Sequence, residues 1–258
     1  MATFLDTIIR TKKEEIRLLR KKHPAFRKRS SPCRSLIKEL TENSLPGVLA
    51  EVKKASPSKG VICENFKPVE IAAAYEEGGA LALSVLTDKH YFQGSLNYLE
   101  SIREKAAIPV LRKDFIIDPL QVEQTAHSNA DVMLLIAAAM SDPQLRELYS
   151  AADELGIESL FEVHTMEELE RIMKLNPRLI GINNRDLASF NVDIATTVTL
   201  KKYIPEEIPV ISESGIFTKE HARVVYDAGV RGVLVGESLM RSDSPGDLIQ
   251  ELVNAGQN

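Results

Sequence analysis

Short apolar runs alternate with longer amphipathic segments along most of the chain, and this pattern predicts its elements. Eight apolar runs have the length and composition of buried strands. They cover residues 48–53, 82–86, 108–111, 132–136, 158–162, 179–182, 209–211 and 230–235. The segment after each run has the apolar spacing of an amphipathic helix. Strands that alternate with helices are typical of α/β proteins with a parallel sheet.

Helix start signals stand ahead of these amphipathic segments, as capping side chains or first-turn prolines. They lie at Pro68, Ser95, Asp118-Pro119, Asp142-Pro143, Thr165, Asp193, Thr218 and Ser244-Pro245. Eight strands, each followed by a helix, predict a (β/α)8 TIM barrel. A doubly wound open sheet is the alternative, but no glycine-rich dinucleotide fingerprint follows the first strand.

Residues 1–45 predict a helical extension ahead of the first strand. Apolar residues at helical spacing form one stripe, made of Leu5, Ile8, Ile9, Ile16 and Leu19. Pro24 ends this helix, and Ser31-Pro32 predict the start of a second, short one. We expect one barrel domain over residues 1–258 that includes this extension.

Composition and charge narrow the possible partners. The 258 residues are 44% hydrophobic and 27% charged, which describes an ordinary globular chain with a sizeable core. The net charge of −5 gives no reason to expect nucleic-acid binding. Residues 1–40, however, hold twelve Lys and Arg against four Asp and Glu, a net of +8, which leaves −13 for the remainder. A basic arm can bind nucleic acid, but we favour a solvated helix beside an acidic body or an anionic substrate.

The cysteines and the apolar runs bear on location. Cys33 and Cys63 are isolated from each other and lack metal-ligand spacing, which indicates a reducing compartment. No run is long enough to span a membrane, and residues 1–20 lack the apolar core of a signal peptide. We therefore expect a cytoplasmic protein that does not bind membranes.

Polar side chains cluster where the predicted strands end. These residues are Glu51, Lys53, Lys113, Glu162, Asn183, Glu213 and Ser214. Chemistry in (β/α)8 barrels takes place at the carboxyl ends of the strands. Buried charges are costly unless they are paired or used, so the positions predict an active site. Structural ion pairs along the rim are the alternative interpretation.

Two glycines predict a phosphate site. Gly215 follows the seventh predicted strand and Gly236 the eighth, where barrels often bind phosphate through backbone N–H groups. The Glu237 side chain would repel a phosphate, so we expect it to point away. Ser56 lies in a hydroxyl-rich turn after the first strand, residues 56–60, that suits an anion. Ordinary turn glycines are the alternative.

Six motifs follow one another in a specific order. They occupy residues 51–60, 113–115, 161–163, 181–186, 212–215 and 236–238. In this order they resemble the indole-3-glycerol-phosphate synthase family, and the resemblance covers nearly the whole chain. It implies a carboxy-lyase of tryptophan biosynthesis that acts on 1-(o-carboxyphenylamino)-1-deoxyribulose 5-phosphate. The products would be indole-3-glycerol phosphate, carbon dioxide and water.

The resemblance also implies roles for individual residues. Lys113 would be the general acid of ring closure, and Glu162 the base of the dehydration step. Lys53 would hold an anionic group or act as a second proton donor, with Glu51 orienting it. The catalytic set is completed by Asn183, Ser214 and Glu213. Substrate-binding candidates are Ser56, Pro57, Phe92, Phe115, Leu134, Arg185, Gly215, Leu234, Gly236 and Glu237.

Within the substrate-binding set, Phe92 and Phe115 resemble the family's wall for the aromatic ring. For Leu134 and Leu234 we favour core packing over contact with a ligand. The histidines are His23, His90, His127, His164 and His221, and none has metal-ligand spacing. We interpret His164 as a satisfied histidine at a helix start. We expect a phosphorylated small-molecule substrate, a monomer, and neither metal nor cofactor.

Three other functions remain open on this sequence. A phosphoribosylanthranilate isomerase would share the fold and the phosphate site, but would act with a catalytic Cys–Asp pair on different strands, and neither Cys33 nor Cys63 ends a predicted strand. A class I aldolase would use Lys53 or Lys113 as a Schiff-base nucleophile. An inactive barrel could serve as a binding protein.

Overall fold

The computed structural model describes residues 3–22, 24–27, 29–186 and 189–257, so His23 lies outside the described residues. Eight parallel strands close into a barrel: β1 (Gly47–Val52), β4 (Ala82–Leu86), β5 (Val110–Lys113), β6 (Val132–Ile136), β7 (Glu158–Val163), β8 (Ile180–Asn183), β9 (Val210–Glu213) and β10 (Gly232–Val235). The last strand pairs with the first, Gly232 opposite Gly47. The predicted (β/α)8 barrel is confirmed, because an open sheet would leave two edges unpaired.

Two helices precede the barrel, and the others follow its strands and begin within two residues of the predicted start signals, except for one short helix after the last strand that no start signal predicted. They are α1 (Phe4–Lys21), α2 (Leu36–Glu42), α3 (Pro68–Glu77), α4 (Leu96–Lys105), α5 (Pro119–His127), α6 (Asp142–Glu154), α7 (Met166–Met173), α8 (Ala195–Lys201), α9 (Lys219–Asp227), α10 (Glu237–Arg241) and α11 (Pro245–Asn254). A hairpin of β2 (Ala55–Ser56) and β3 (Gly60–Val61) follows β1. A 3₁₀ turn, Ala137–Ala139, follows β6. Ser141 caps α6, one residue before the predicted Asp142.

Three predicted element starts are wrong by two residues or more. β10 begins at Gly232 rather than at residue 230. The other two have a local reason. β5 begins at Val110 rather than at residue 108, since Pro109 has no N–H to donate to a neighbouring strand. Ser31-Pro32 do not start a helix. The N–H groups of Ser30 and Ser31 donate instead to the Asn129 side chain, at 2.9 and 3.3 Å. The second helix starts later, where Ser35 caps α2.

Side-chain alternation along the strands divides the core into two parts. Residues that point outward pack against the surrounding helices. Residues that point inward fill the barrel with apolar side chains, among them Leu49, Leu111, Leu134, Leu160, Ile211 and Leu234. Two positions further along four of these strands, the inward side chains are the charged Glu51, Lys113, Glu162 and Glu213 at the carboxyl ends, whereas β6 has Ile136 there and β10 is followed by Gly236. The same alternation therefore fills the interior and builds the site above it.

The extension closes the amino-terminal end of the barrel. Leu36 and Leu40 of α2 are buried in the interior cluster. Ser35 Oγ donates to Glu158 Oε1 at the start of β7, and Arg231 Nε donates to the Leu40 carbonyl at 3.0 Å. α2 is therefore a plug for this end of the barrel.

The first helix, α1, lies at the opposite end. Its Lys12 ammonium is almost fully buried and lies 2.7 Å from Asp88 Oδ2 and 2.9 Å from Asp114 Oδ1. These two carboxylates follow β4 and β5, which fixes α1 across the carboxyl ends of the strands. Within the ranges that the structure describes, none of the helices has the length and apolarity that crossing a membrane requires.

Candidate active site

A cavity of about 1250 Å³, including the part open to solvent, lies at the carboxyl ends of the strands. α1 and the hairpin after β1 contribute to its walls. All seventeen residues predicted for the site line this one cavity: Glu51, Lys53, Ser56, Pro57, Phe92, Lys113, Phe115, Leu134, Glu162, Asn183, Arg185, Glu213, Ser214, Gly215, Leu234, Gly236 and Glu237. The fold therefore brings together residues that are up to 186 positions apart, from Glu51 to Glu237.

Lys113 is the centre of the charged floor. Its Nζ donates to Glu162 Oε2 and to Glu213 Oε2, both at 2.6 Å. The three side chains come from β5, β7 and β9, and each occupies an inward position at its strand end. Asn183, on β8 between the two carboxylates, donates from Nδ2 to Glu162 Oε1 at 3.1 Å. One ammonium thus lies between two carboxylates that are nearly inaccessible to water.

Burial and charge act on this trio in opposite directions. Burial lowers the pKa of Lys113, but Glu162 and Glu213 raise it more, so the net pKa is raised and the ammonium stays protonated. Burial raises the pKa of Glu162, yet Lys113 and His164 outweigh this and the net pKa is lowered. For Glu213, burial and the charge of Glu162 prevail over Lys113, and the pKa is raised. The two carboxylates therefore differ: Glu162 is the ionised one, and Glu213 is the one that protonates first.

A second ion pair lies beside the trio. Lys53 Nζ donates to Glu51 Oε1 at 2.5 Å, and Lys53 remains partly accessible from the cavity. Gly236 borders this pair: a Cβ there would lie 2.3 Å from Glu51 Oε1 and 3.0 Å from Lys53 Nζ. Gly181 has the same relation to Glu213, whose Oε1 a Cβ would meet at 2.3 Å. Both glycines make room for charged side chains, a reason that the phosphate prediction for Gly236 did not include.

The turn after β9 has an unusual backbone. Ser214 and Gly215 have φ angles of 62° and 84°. For a residue other than glycine, such as Ser214, a positive φ is a strained backbone conformation. Asn184 holds the turn, because its Nδ2 donates to the Ser214 carbonyl at 2.9 Å and to Ser212 Oγ at 3.0 Å. The turn presents its backbone to the cavity next to the start of α10.

Glu237 begins α10 with its carboxylate beside two cations. Its Oε1 accepts from Arg241 Nε at 3.2 Å and lies 3.5 Å from Lys59 Nζ, at the tip of the hairpin loop. The expected repulsion of an anion by this carboxylate is thus reduced by its neighbours. The contact with Lys59 also links the loop after β1 to the start of α10.

An apolar slot lies above the charged floor. The Phe92 and Phe115 rings are tilted by 37° with their centroids 6.2 Å apart. Leu134 and Leu234 are 2% and 6% exposed, belong to the barrel interior and also line the cavity. These two leucines therefore pack in the core and also form part of the cavity wall. Arg185 lines the same cavity, and its backbone N–H donates to Asn183 Oδ1 at 3.0 Å.

Comparison with known proteins gives one consistent result. The family model described as indole-3-glycerol phosphate synthase matches residues 5–252. The chain belongs to the indole-3-glycerol phosphate synthase family. The match extends from α1 to α11, so both the extension and the barrel are part of what the family shares.

Two relatives illustrate how similar family members are. An indole-3-glycerol phosphate synthase of Desulfotalea psychrophila is 46% identical over 257 residues, 98% of this chain and 99% of the relative. One of Shouchella clausii is 48% identical over 250 residues, 96% of each chain. Among solved structures, 3-hexulose-6-phosphate synthase has a TM-score of 0.64 at 13% identity, over 81% of this chain and 99% of its own. At that identity the likeness concerns the fold alone.

Several residues line the site of this family member without having been predicted. Phe4, Leu5 and Ile8 of α1 form part of the cavity wall. The apolar stripe of α1 could have indicated this, because an apolar helix face packs against another apolar surface. His164 lies beside the site: its Nε2 is 3.3 Å from Glu162 Oε1 and its Nδ1 is 3.2 Å from Glu168 Oε2. The helix-start interpretation accounts for Glu168 but not for Glu162.

Proposed function

We propose that Lys113 and Glu162 carry the acid–base steps of the indole-3-glycerol phosphate synthase reaction, the activity of the family to which the chain belongs. The observation that carries this assignment is the Lys113 ammonium held between two carboxylates on the floor of an apolar cavity. A buried proton donor with a buried base beside it suits a substrate that must gain a proton and later lose one.

The shape of the cavity supports one orientation of the substrate. The anthranilate ring would lie against Phe92 and Phe115 in the apolar slot. The phosphate would lie at the turn of Ser214 and Gly215 and the start of α10, where backbone N–H groups are available. Ser56, in the hairpin, would contribute a hydroxyl to the same group.

Ring closure is the first step. The ring carbon that bears the carboxylate attacks the ketone carbon, and Lys113 protonates the ketone oxygen to give a hydroxyl group. The second step is loss of the ring carboxylate as carbon dioxide, which restores the aromatic sextet. Lys53 would hold this carboxylate until it leaves, oriented by its pair with Glu51. The ammonium suits this task because it is a point charge that remains accessible from the cavity.

Dehydration completes the sequence. Glu162 removes a proton from the carbon next to nitrogen, and the hydroxyl group leaves as water with a proton from Lys53. The lowered pKa of Glu162 keeps it ionised and available as a base. Asn183 fixes one of its oxygens and so helps to set the direction of the other.

The test is turnover of 1-(o-carboxyphenylamino)-1-deoxyribulose 5-phosphate by the purified full chain. We expect an indole fluorescence signal that appears together with one equivalent of carbon dioxide. Absence of product with folded protein would refute the assignment. Borohydride treatment in the presence of a keto sugar phosphate tests the aldolase alternative, since only a Schiff base at Lys53 or Lys113 would be trapped.

The remaining expectations concern assembly and location. We propose that the protein acts as a monomer, because all of the residues proposed for catalysis lie on one chain. We propose a cytoplasmic location on the basis of the two unpaired cysteines. Light scattering on a size-exclusion column tests the first proposal, and fractionation of cells that express the chain tests the second.

A further inference from the structure

His164 is an ionisable group beside Glu162 to which the proposed reaction assigns no task. It lies two residues beyond Glu162, just after β7 ends, and its side chain is 8% exposed. Its ring lies between two carboxylates: Nε2 is 3.3 Å from Glu162 Oε1, and Nδ1 is 3.2 Å from Glu168 Oε2. Glu168, on the first turn of α7, also accepts the His164 backbone N–H at 2.7 Å. Side chain and backbone of His164 are thus both held by Glu168.

The charges around Glu162 come from several elements. Lys113 on β5 binds Oε2, and the Asn183 amide on β8 binds Oε1. Glu213 on β9 shares the Lys113 ammonium. His164 faces Oε1 from the end of its own strand, and the charged groups facing His164 are Glu162 and Glu168. Glu162 thus has two cationic neighbours, one for each oxygen.

We propose that protonated His164 is a positioning residue that keeps Glu162 ionised and oriented for the proton-removal step. The inference rests on the proposed role of Glu162 as base. It gives His164 a task that Lys113 cannot perform throughout turnover. Once Lys113 has donated its proton to the ketone oxygen, its amine is neutral, and Glu162 has lost the cation at Oε2. The imidazolium at Oε1 remains and favours the carboxylate form until that base is needed.

The surroundings of His164 favour the charged ring. Burial lowers the pKa of His164, but the contacts with Glu162 and Glu168 raise it more, to about 10. The ring is therefore protonated at neutral pH. Glu168 contributes to this charge and leaves the ring's other nitrogen free to face Glu162.

The experiment is the pH dependence of kcat and kcat/KM for His164→Gln and for Glu168→Gln. Loss of the cation in His164→Gln raises the pKa of Glu162, so the acidic limb should move to higher pH by about one to three units. Glu168→Gln keeps the ring but removes one anion, which lowers the pKa of His164. Its alkaline limb should therefore begin about one to three units lower than in the unchanged protein. A single-turnover measurement should place both effects on dehydration and not on ring closure.

A purely structural role gives a different result. If both variants lose activity by one factor at all pH values, or keep the original profile, the inference is wrong. Glu168→Gln alone decides the matter if His164→Gln does not fold, since Glu168 is outside the cavity. Glu162→Gln separates this inference from the proposed function. Full-speed dehydration in Glu162→Gln would refute the role of Glu162 itself. If dehydration is slow in Glu162→Gln but the limbs of the His164→Gln pH profile do not shift, only the role of His164 is refuted.

Discussion

At the scale of single residues, the site works by placing each charge next to its opposite. Lys113 lies between two carboxylates, and Lys53 is paired with Glu51. Such pairing makes buried charges tolerable, and it also means that removing one member leaves the other unpaired. Variants of the site therefore need two measurements, one of catalysis and one of folding.

Replacing Lys113 removes the proposed general acid. Lys113→Ala should lower kcat by about a hundredfold or more, because a positioned general acid contributes at least that much. Substrate affinity should change less, since Lys53 and the proposed phosphate site are unaltered. Steady-state kinetics with a thermal melt on the same sample checks this. Lys89→Ala, at an exposed lysine, is the matched control, and a Lys113→Ala enzyme with near-normal turnover would disprove the role.

Replacing Glu162 separates basicity from shape. Glu162→Gln keeps the size of the side chain and can still accept a hydrogen bond, but it is not a base. We expect ring closure and decarboxylation to proceed and dehydration to slow, so that an intermediate still bearing the hydroxyl accumulates. Quenched single-turnover samples analysed by mass spectrometry would detect it. Release of water and carbon dioxide at equal rates would count against the assignment.

Strand alternation explains how much of this site the sequence predicts. Inward apolar residues such as Leu111 determine that Lys113, two positions on, also faces inward. Strand alternation does not predict the ion-pair partners of Lys113. Glu162 and Glu213 are 49 and 100 residues away in sequence, and only the closed barrel brings their carboxylates to the Lys113 ammonium. The need for glycine at position 181 likewise becomes visible only when Glu213 is seen to occupy the space.

At the scale of elements, Lys12 connects α1 to the site. Its ammonium contacts Asp88 and Asp114. The Asp88 carboxylate accepts the N–H groups of Tyr91 and Phe92, and Asp114 accepts that of Phe115. One lysine thus supports the two loops that carry the aromatic wall. Lys12 lies on the apolar stripe of α1, four residues after Ile8 and four before Ile16, so the spacing indicates its burial, whereas its two carboxylate partners depend on the closed barrel.

Removing the Lys12 charge should destabilise the fold. Lys12→Met should cost about 3–5 kcal/mol at pH 7, because two buried carboxylates lose their shared cation. The contacts with Lys12 and Arg112 lower the folded-state pKa of Asp114 despite its burial. The stabilisation is therefore present above the ordinary carboxylate pKa near 4 and is lost as the pH falls below it.

Urea unfolding at pH 7 and at pH 2.5 measures this effect. The difference between the original chain and Lys12→Met should shrink at the lower pH, where the carboxylates need the cation less. Lys13→Met, on the exposed side of the same helix, is the control and should be nearly neutral. A Lys12→Met protein as stable as this control at pH 7 would show that the buried contacts contribute nothing.

At the scale of the whole molecule, ion pairs with the barrel neutralise part of the net charge of +8 that the basic extension carries. Lys12 is buried in ion pairs, Arg20 contacts Asp118, and Arg29 contacts Asp131. The extension runs from the mouth of the barrel to its opposite end and is fixed at both. Whether its remaining charge attracts the anionic substrate is a question of long-range electrostatics.

Deleting residues 1–22 tests that question without removing the α2 plug. We expect KM to rise about tenfold or more, because α1 forms part of the cavity wall. Losing one apolar contact between this wall and the substrate, worth about 1.5 kcal/mol, weakens binding by that factor. We also expect a weaker salt dependence of kcat/KM, because surface charges are screened over about 10 Å at 0.1 M salt. Kinetics from 20 to 500 mM salt, on protein shown to be folded, measures both. Identical salt slopes would leave α1 as a cover without a steering role.

The plug at the amino-terminal end also constrains the order in which the chain can fold. During synthesis Leu36 and Leu40 leave the ribosome long before Arg231, which lies 191 residues after the Leu40 carbonyl that it binds. Their burial site is complete only when β10 has joined β9 to β1. We therefore expect these leucines to stay exposed on the nascent chain until its last strand is inserted, so that barrel closure and burial of the plug occur as one late event.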